Sequence, residues 1–171
     1  NKLKHLTTIK EDTLFKDLEL LFKHGIAHVD PASLAGSIKG RDNVFVHIDS
    51  MLQNAKESVT VVSTPEGVLR KFDKFRLRFK KLKDKGVKIR IITPSNDLVK
   101  KRSAEIKQVA ELRSINPMRA RFVIVDKKEI LFIITDDNSI HESYDTGIWV
   151  NSEFMAKALD SMVNFSLNQK S

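Results

Sequence analysis

Cysteine is absent from the 171-residue chain, which excludes disulfides, thiol nucleophiles and cysteine-based zinc or iron–sulfur sites. No run approaches the roughly 18–20 apolar residues of a membrane-spanning helix, and nothing N-terminal resembles a signal peptide. A cytoplasmic protein without a membrane partner is the expectation. Internal repeats and low-complexity tracts are also missing. What remains, 41% hydrophobic and 30% charged residues, is ordinary for a single globular domain with a sizeable core. The chain begins at Asn1 rather than Met, from which a piece of a longer protein is expected.

Histidine is sparse and scattered, at positions 5, 24, 28, 47 and 141. His24 and His28 have the i, i+4 spacing that shares a metal on a helix, but Gly25 and the run Ala27 to Pro31 predict that the helix ends there. No metal or other cofactor is expected.

The formal charge of +8 is concentrated. Between Arg70 and Arg90 stand eleven Lys or Arg against Asp73 and Asp84, so one segment carries the whole excess. Clustered cations of this kind suit nucleic acid or an acidic partner, with Arg70, Lys71, Lys74, Arg78 and Lys81 as the candidate contacts and Leu77 as an apolar anchor beside them. The same cluster also suits a solvated helix face, since no aromatic residue interleaves on it for base stacking.

Apolar periodicity predicts a helix near 8–24 (Leu14, Leu18, Leu21, Phe22), a turn region over Gly36 to Gly40, and a helix bearing Val44, Phe45, Ile48, Met51, Leu52 and Ala55. The run 58–63 reads as a buried strand. A helix with Leu69, Phe72, Phe75, Phe79 and Leu82 on one side then leads, through Gly86, into a strand over 87–93, giving a strand–helix–strand unit with parallel strands. A polar helix is expected from the Asn96 cap to about Arg113. Strands over 118–125 and 130–135, joined by a tight turn at 126–129, form a hairpin. A polar loop over 136–144, a last strand over 145–151 and a terminal helix capped by Ser152 complete an α/β fold, a mixed sheet flanked by helices.

The sequence Arg119-Ala120-Arg121-Phe122-Val123-Ile124-Val125-Asp126 resembles the HxKxxxxD signature of the phospholipase D superfamily, with arginines in place of His and Lys. From about Ile38 to Leu167 the chain also resembles the phospholipase D-like domain at the C-terminus of archaeal TrmB-type transcriptional regulators. That likeness rests on Ile38 to Val44, on Ala55 to Val61, on Lys85 to Arg90 and on Arg119 to Asp126, in that order. The resemblance implies a phospholipase D-like half fold over 38–171 behind a helical extension or linker at 1–37. It further implies a homodimer serving transcription regulation, with DNA bound through an N-terminal winged helix that 1–39 does not resemble; the basic helix, read from its charge, is the other candidate DNA contact. The additional C-terminal region of sugar-binding members has no counterpart before Ser171, which argues against a sugar effector.

A phospholipase D-type enzyme attacks the phosphodiester with a neutral imidazole, whereas a guanidinium stays protonated, so Arg119 is no nucleophile. Two arginines still hold phosphate or carboxylate through forked hydrogen bonds; equally, they suit the polar face of a strand. Ligands of open α/β sheets bind beyond the C-terminal ends of the parallel strands. The candidate binding set is therefore Arg119, Arg121 and Asp126 with Ser63, Thr64, Thr93, Ser95, Asn96 and Asn138; such polar clusters also occur as plain turn chemistry. No catalytic residue is assigned. The expected function is a non-catalytic effector-sensing and dimerisation domain for a small anionic ligand. The alternatives are a phosphodiesterase or nuclease using His47 or His141, and a nucleic-acid-binding module using residues 70–90.

Overall fold

A computed structural model describes residues 16, 34–115, 119–136 and 141–169. The expected helix at 8–24, the His24/His28 pair and Asn138 lie outside the described residues, apart from helical Lys16. The chain divides into two units, residues 1–34 and 35–171, and the second contains the sheet and the helices that cover it.

Seven strands form one mixed sheet: β1 (Ala35–Lys39), β2 (Ser58–Val62), β3 (Lys88–Thr93), β4 (Glu111–Ser114), β5 (Phe122–Val125), β6 (Glu129–Ile133) and β7 (Thr146–Asn151). Their spatial order is β1-β7-β6-β5-β2-β3-β4. β2, β3 and β4 run parallel, while every pairing on the other side of β2 is antiparallel. The helices are α1 (Arg41–Gln53), α2 (Pro65–Asp84), the short α3 (Asp97–Lys101) and α4 (Ser103–Lys107), and α5 (Glu153–Asn168).

The β-branched run at β2 is buried on both faces, which is why it reads as continuous rather than alternating hydrophobicity. Val59 and Val61 join one core with Ile48 and Leu52 of α1 and with Phe72, Phe75 and Phe79 of α2. Val62 joins the other with Ile92, Phe122, Ile124 and Ile130, beneath Ala156 and Val163 of α5. The α2 crossover joins β2 to its parallel neighbour β3, as its periodicity predicts, and ends just before Gly86, whose φ of 87° favours glycine. The β5–β6 hairpin turns through Asp126 and Lys127, both at positive φ.

Two local expectations are corrected. The region expected to turn between Gly36 and Gly40 is strand β1, which completes its backbone hydrogen bonding by pairing with β7. The polar helix expected to run to Arg113 is broken into α3 and α4 and gives way to β4, because the free edge of β3 takes Glu111 to Ser114 as a parallel partner. Ser152 does cap α5, its hydroxyl accepting from the Met155 amide.

The start of α2 presses against the end of β2. Thr64 accepts from the Gly67 amide and Pro65 occupies the first helical turn, a favourable start for a helix. A β-carbon on Gly67 would fall 2.2 Å from the hydroxyl of buried Ser63. Gly67→Ala is therefore expected to destabilise the fold by about 1–3 kcal/mol through overpacking. Urea unfolding checks this, and an unchanged midpoint would mean that Ser63 moves aside at no cost.

Candidate functional site

β2 and β3 end side by side at Val62 and Thr93, and the N-terminus of α2 rises beside them. β5 runs the opposite way, so Arg119 and Arg121, just before its first residue, arrive at the same edge of the sheet. They line a cleft of about 410 Å³ together with Thr64, Pro65 and Glu66 of the α2 start, Pro94 after β3, and Ile134, Thr135 and Asp136 after β6. The positive end of the α2 dipole faces this region, opposed locally by the carboxylates of Glu66 and Asp136.

The two arginines differ in kind. Arg119 is exposed. Arg121 is buried; one terminal nitrogen donates to the Thr135 carbonyl at 2.7 Å and lies 3.5 Å from the Asp145 carboxylate. Its Nε is buried and has no hydrogen-bond partner among the described residues. Such an orphaned donor is costly unless another acceptor reaches it.

Asp145 is the hub behind Arg121. Its carboxylate accepts from Arg41 Nε at 2.8 Å and from the Thr135 hydroxyl at 3.1 Å, and its carbonyl accepts from the Gly40 amide. Burial pushes the Asp145 pKa up, but the hydrogen bonds from Arg41, Arg121 and Thr135 outweigh that and hold it below the ordinary value of 3.8. One carboxylate thus ties the β1–α1 junction, the end of β6 and the start of β5 into a rigid rim for the cleft.

Asp126 does not belong to this constellation. It sits at the far end of β5, where its carboxylate accepts from the amides of Lys56, Glu57 and Ser58 at 2.7–3.1 Å and so caps the entry to β2. Ser63 and Thr93 are buried at the strand ends, Ser63 accepting from Lys71 Nζ at 3.3 Å and the Thr93 hydroxyl having no partner among the described residues. Asn96 caps α3 by accepting from the Val99 amide. Ser95 follows Pro94 and is exposed. The structure therefore brings Arg119, Arg121 and Thr64 into one cleft, places Thr93 next to it in the sheet, and sends Asp126 elsewhere.

Neither His47 nor His141 is among the side chains that line the cleft. His47 packs edge-on against Trp149, whose indole donates to Glu129 at the turn end of the β5–β6 hairpin, away from Arg121. Burial lowers its pKa, against the opposing charge of Glu129. His141 is exposed, and its Nδ1 is held by Ser143.

The basic helix is also rearranged relative to expectation. Lys71, counted among the exposed cations, is 2% exposed, because the helical period turns it toward Ser63. Arg78 forms a forked pair with Asp49 of α1, and Arg70 is half-buried. Lys74 and Lys81 are exposed, as is Leu77 at 76%.

Residues 36–162 match the sequence model of the family described as transcriptional regulator TrmB, EBD (effector-binding domain) N-terminal subdomain. No curated protein matches the sequence. Among solved structures, the fold is similar to TrmBL2, described as an archaeal chromatin protein with a novel mode of DNA binding, at a TM-score of 0.62 and 20% identity. That match covers 95% of this chain and 62% of the other, so this chain spans less than two thirds of that relative. NucT from Helicobacter pylori is similar at a TM-score of 0.61 and 12% identity, over 78% of this chain and 94% of that one. The phospholipase D family member Nuc from Salmonella typhimurium is similar at 0.59 and 14%, over 79% and 95%. At these identities the likeness shows a shared phospholipase D-like fold.

Proposed function

The chain belongs to the TrmB family of transcriptional regulators through the N-terminal subdomain of its effector-binding domain, and from that premise we propose that residues 38–171 form a non-catalytic sensor of a small anionic ligand. The observation that carries this reading is the buried Nε of Arg121, unpartnered among the described residues, beside exposed Arg119 in a cleft at the α2 N-terminus. A phosphate or carboxylate seated there accepts from both guanidinium groups and relieves the orphaned donor. Neither arginine supplies the neutral nitrogen that covalent phosphodiester chemistry needs. The regulator is read as DNA-binding by analogy with the archaeal chromatin protein, and residues 1–37 as an extension leading to the rest of it.

Dimerisation is the second part of the proposal. Beside the anion cleft, and sharing Arg121 and Ile134 with it, lies an apolar cleft of about 470 Å³ between α5 and strands β6 and β7, lined by Phe132, Ile148, Leu159 and Met162. Ile134, Met162 and nearby Phe165 are each more than half exposed, a concentration of apolar surface that favours pairing with a second copy.

Incubation with bis(4-nitrophenyl) phosphate tests the non-catalytic reading. The expected result is no nitrophenolate release above the protein-free blank. Release that disappears on replacing His47 or His141 would assign a phosphodiesterase instead.

A further inference from the structure

At the opposite end of the sheet from the anion cleft, β2, β3 and β4 begin together at Ser58, Lys88 and Glu111. Their starts open into a groove of about 530 Å³, larger than the anion cleft or its apolar neighbour. The C-terminal turn of α2 brings Lys83 to it, α4 brings Lys107, β3 brings Lys88 and the β5–β6 turn brings Lys127. A second hollow continues the track along α2 to Lys80, sharing Lys83 and Val109 with the first.

The acids of the larger groove are committed, and Asp84, which lines the second hollow, is the other carboxylate along the track among the described residues. Asp160 pairs with Arg90 at 2.9 Å and with Lys127 at 3.7 Å, and Glu111 pairs with Arg113 at 3.2 Å. Lys80, Lys83, Lys88 and Lys107 are exposed and, among the described residues, pair with no carboxylate, although Lys83 Nζ donates to the Gln108 carbonyl. Four ammonium groups against the carboxylate of Asp84 along this depression leave a net positive field that attracts a polyanion.

We propose that this track binds the phosphate backbone of duplex DNA without reading its sequence. Lysines are flexible point charges suited to successive phosphates, whereas base readout calls for planar, bidentate groups aimed into a groove. The one arginine lining the groove, Arg90, is pinned by Asp160 and Asn164. An acidic polypeptide with apolar anchors fits less well, because Val87 and Ile89 in the larger groove are buried and exposed Leu77 in the second hollow is a single anchor. The track is distinct from the Lys74 and Lys81 face of α2 and independent of the anion cleft.

Fluorescence anisotropy of the 171-residue chain with an arbitrary duplex of about 20 base pairs tests this, across about 50–200 mM salt. Four phosphate contacts give a slope of log affinity against log salt of roughly −3.6. The charge-neutral variant Lys83→Gln/Lys88→Gln/Lys107→Gln is expected to flatten that slope by about 2.7 while keeping the wild-type melting temperature, and Lys74→Gln/Lys81→Gln is expected to keep the wild-type slope. Should the triple variant fail to fold, Lys88→Gln alone is expected to flatten the slope by about 0.9. Equal slopes in wild type and these groove variants would overturn the proposal, as would a poly-glutamate chain that binds as tightly as the duplex.

Discussion

Replacing Asp145 by alanine is expected to destabilise the fold by about 3–5 kcal/mol, the usual cost of removing one partner from a buried charge network. The carboxylate stands between Arg41 and buried Arg121, and its loss leaves the Arg121 guanidinium, among the described residues, with the Thr135 carbonyl as its one acceptor. The Arg41 and Thr135 contacts that hold the rim of the cleft disappear at the same time. Because the folded-state pKa of Asp145 is depressed, its contribution is present above the unfolded value near 3.8 and is lost as the pH falls below that through the lower folded value. Urea unfolding at neutral pH should therefore show the full deficit in Asp145→Ala, and the gap from wild type should narrow in strong acid. A deficit below about 1 kcal/mol at neutral pH would place the pair among weak, solvent-screened interactions.

Asp126 gives the second large effect, with a different signature. Its carboxylate satisfies three consecutive backbone amides at the entry to β2, and hydrogen bonds to a charged acceptor are worth about 1.5–3 kcal/mol each. Solvent reaches Lys56 and Glu57, so the expected loss for Asp126→Ala is about 2–4 kcal/mol rather than the full sum. The residue also sits at φ 56°, where glycine is at ease and alanine is not. Asp126→Gly therefore isolates the capping contribution from turn strain. Both variants are expected to keep anion affinity unchanged wherever they remain folded, since Asp126 caps the opposite end of β5 from the cleft. Loss of anion binding in a folded Asp126 variant would return this residue to the site.

The periodicities of residues 44–55, 58–63, 69–82 and 87–93 make α1, β2, α2 and β3 legible because each buries a complete face against the sheet or helix beside it. The hairpin at Asp126 and the Ser152 cap are legible for a local reason, turn and cap chemistry confined to a few neighbouring residues. β1 and β4 were not legible. Ala35–Lys39 is largely exposed and Glu111–Ser114 mostly polar, so both are strands by virtue of the edge they complete rather than of their own pattern. The site divides along the same line. Arg119 and Arg121 announce themselves through a motif, whereas Asp145 is separated from Arg41 by 104 positions and no spacing rule links them. Asp126 misled because motif membership implies proximity, and a strand places its two ends apart.

The regulatory reading depends on the cleft holding an anion through Arg119, the exposed member of the pair, whose replacement leaves the Asp145 network intact. The decisive measurement is the shift in unfolding free energy of wild type and Arg119→Ala with inorganic phosphate and a panel of small phosphorylated and carboxylated compounds. A bound anion at about 100 times its dissociation constant stabilises wild type by roughly 2.7 kcal/mol, and Arg119→Ala is expected to lose most of that shift while unfolding normally without ligand. Equal stabilisation of both proteins, or none of wild type by any anion, would contradict an anion-sensing cleft.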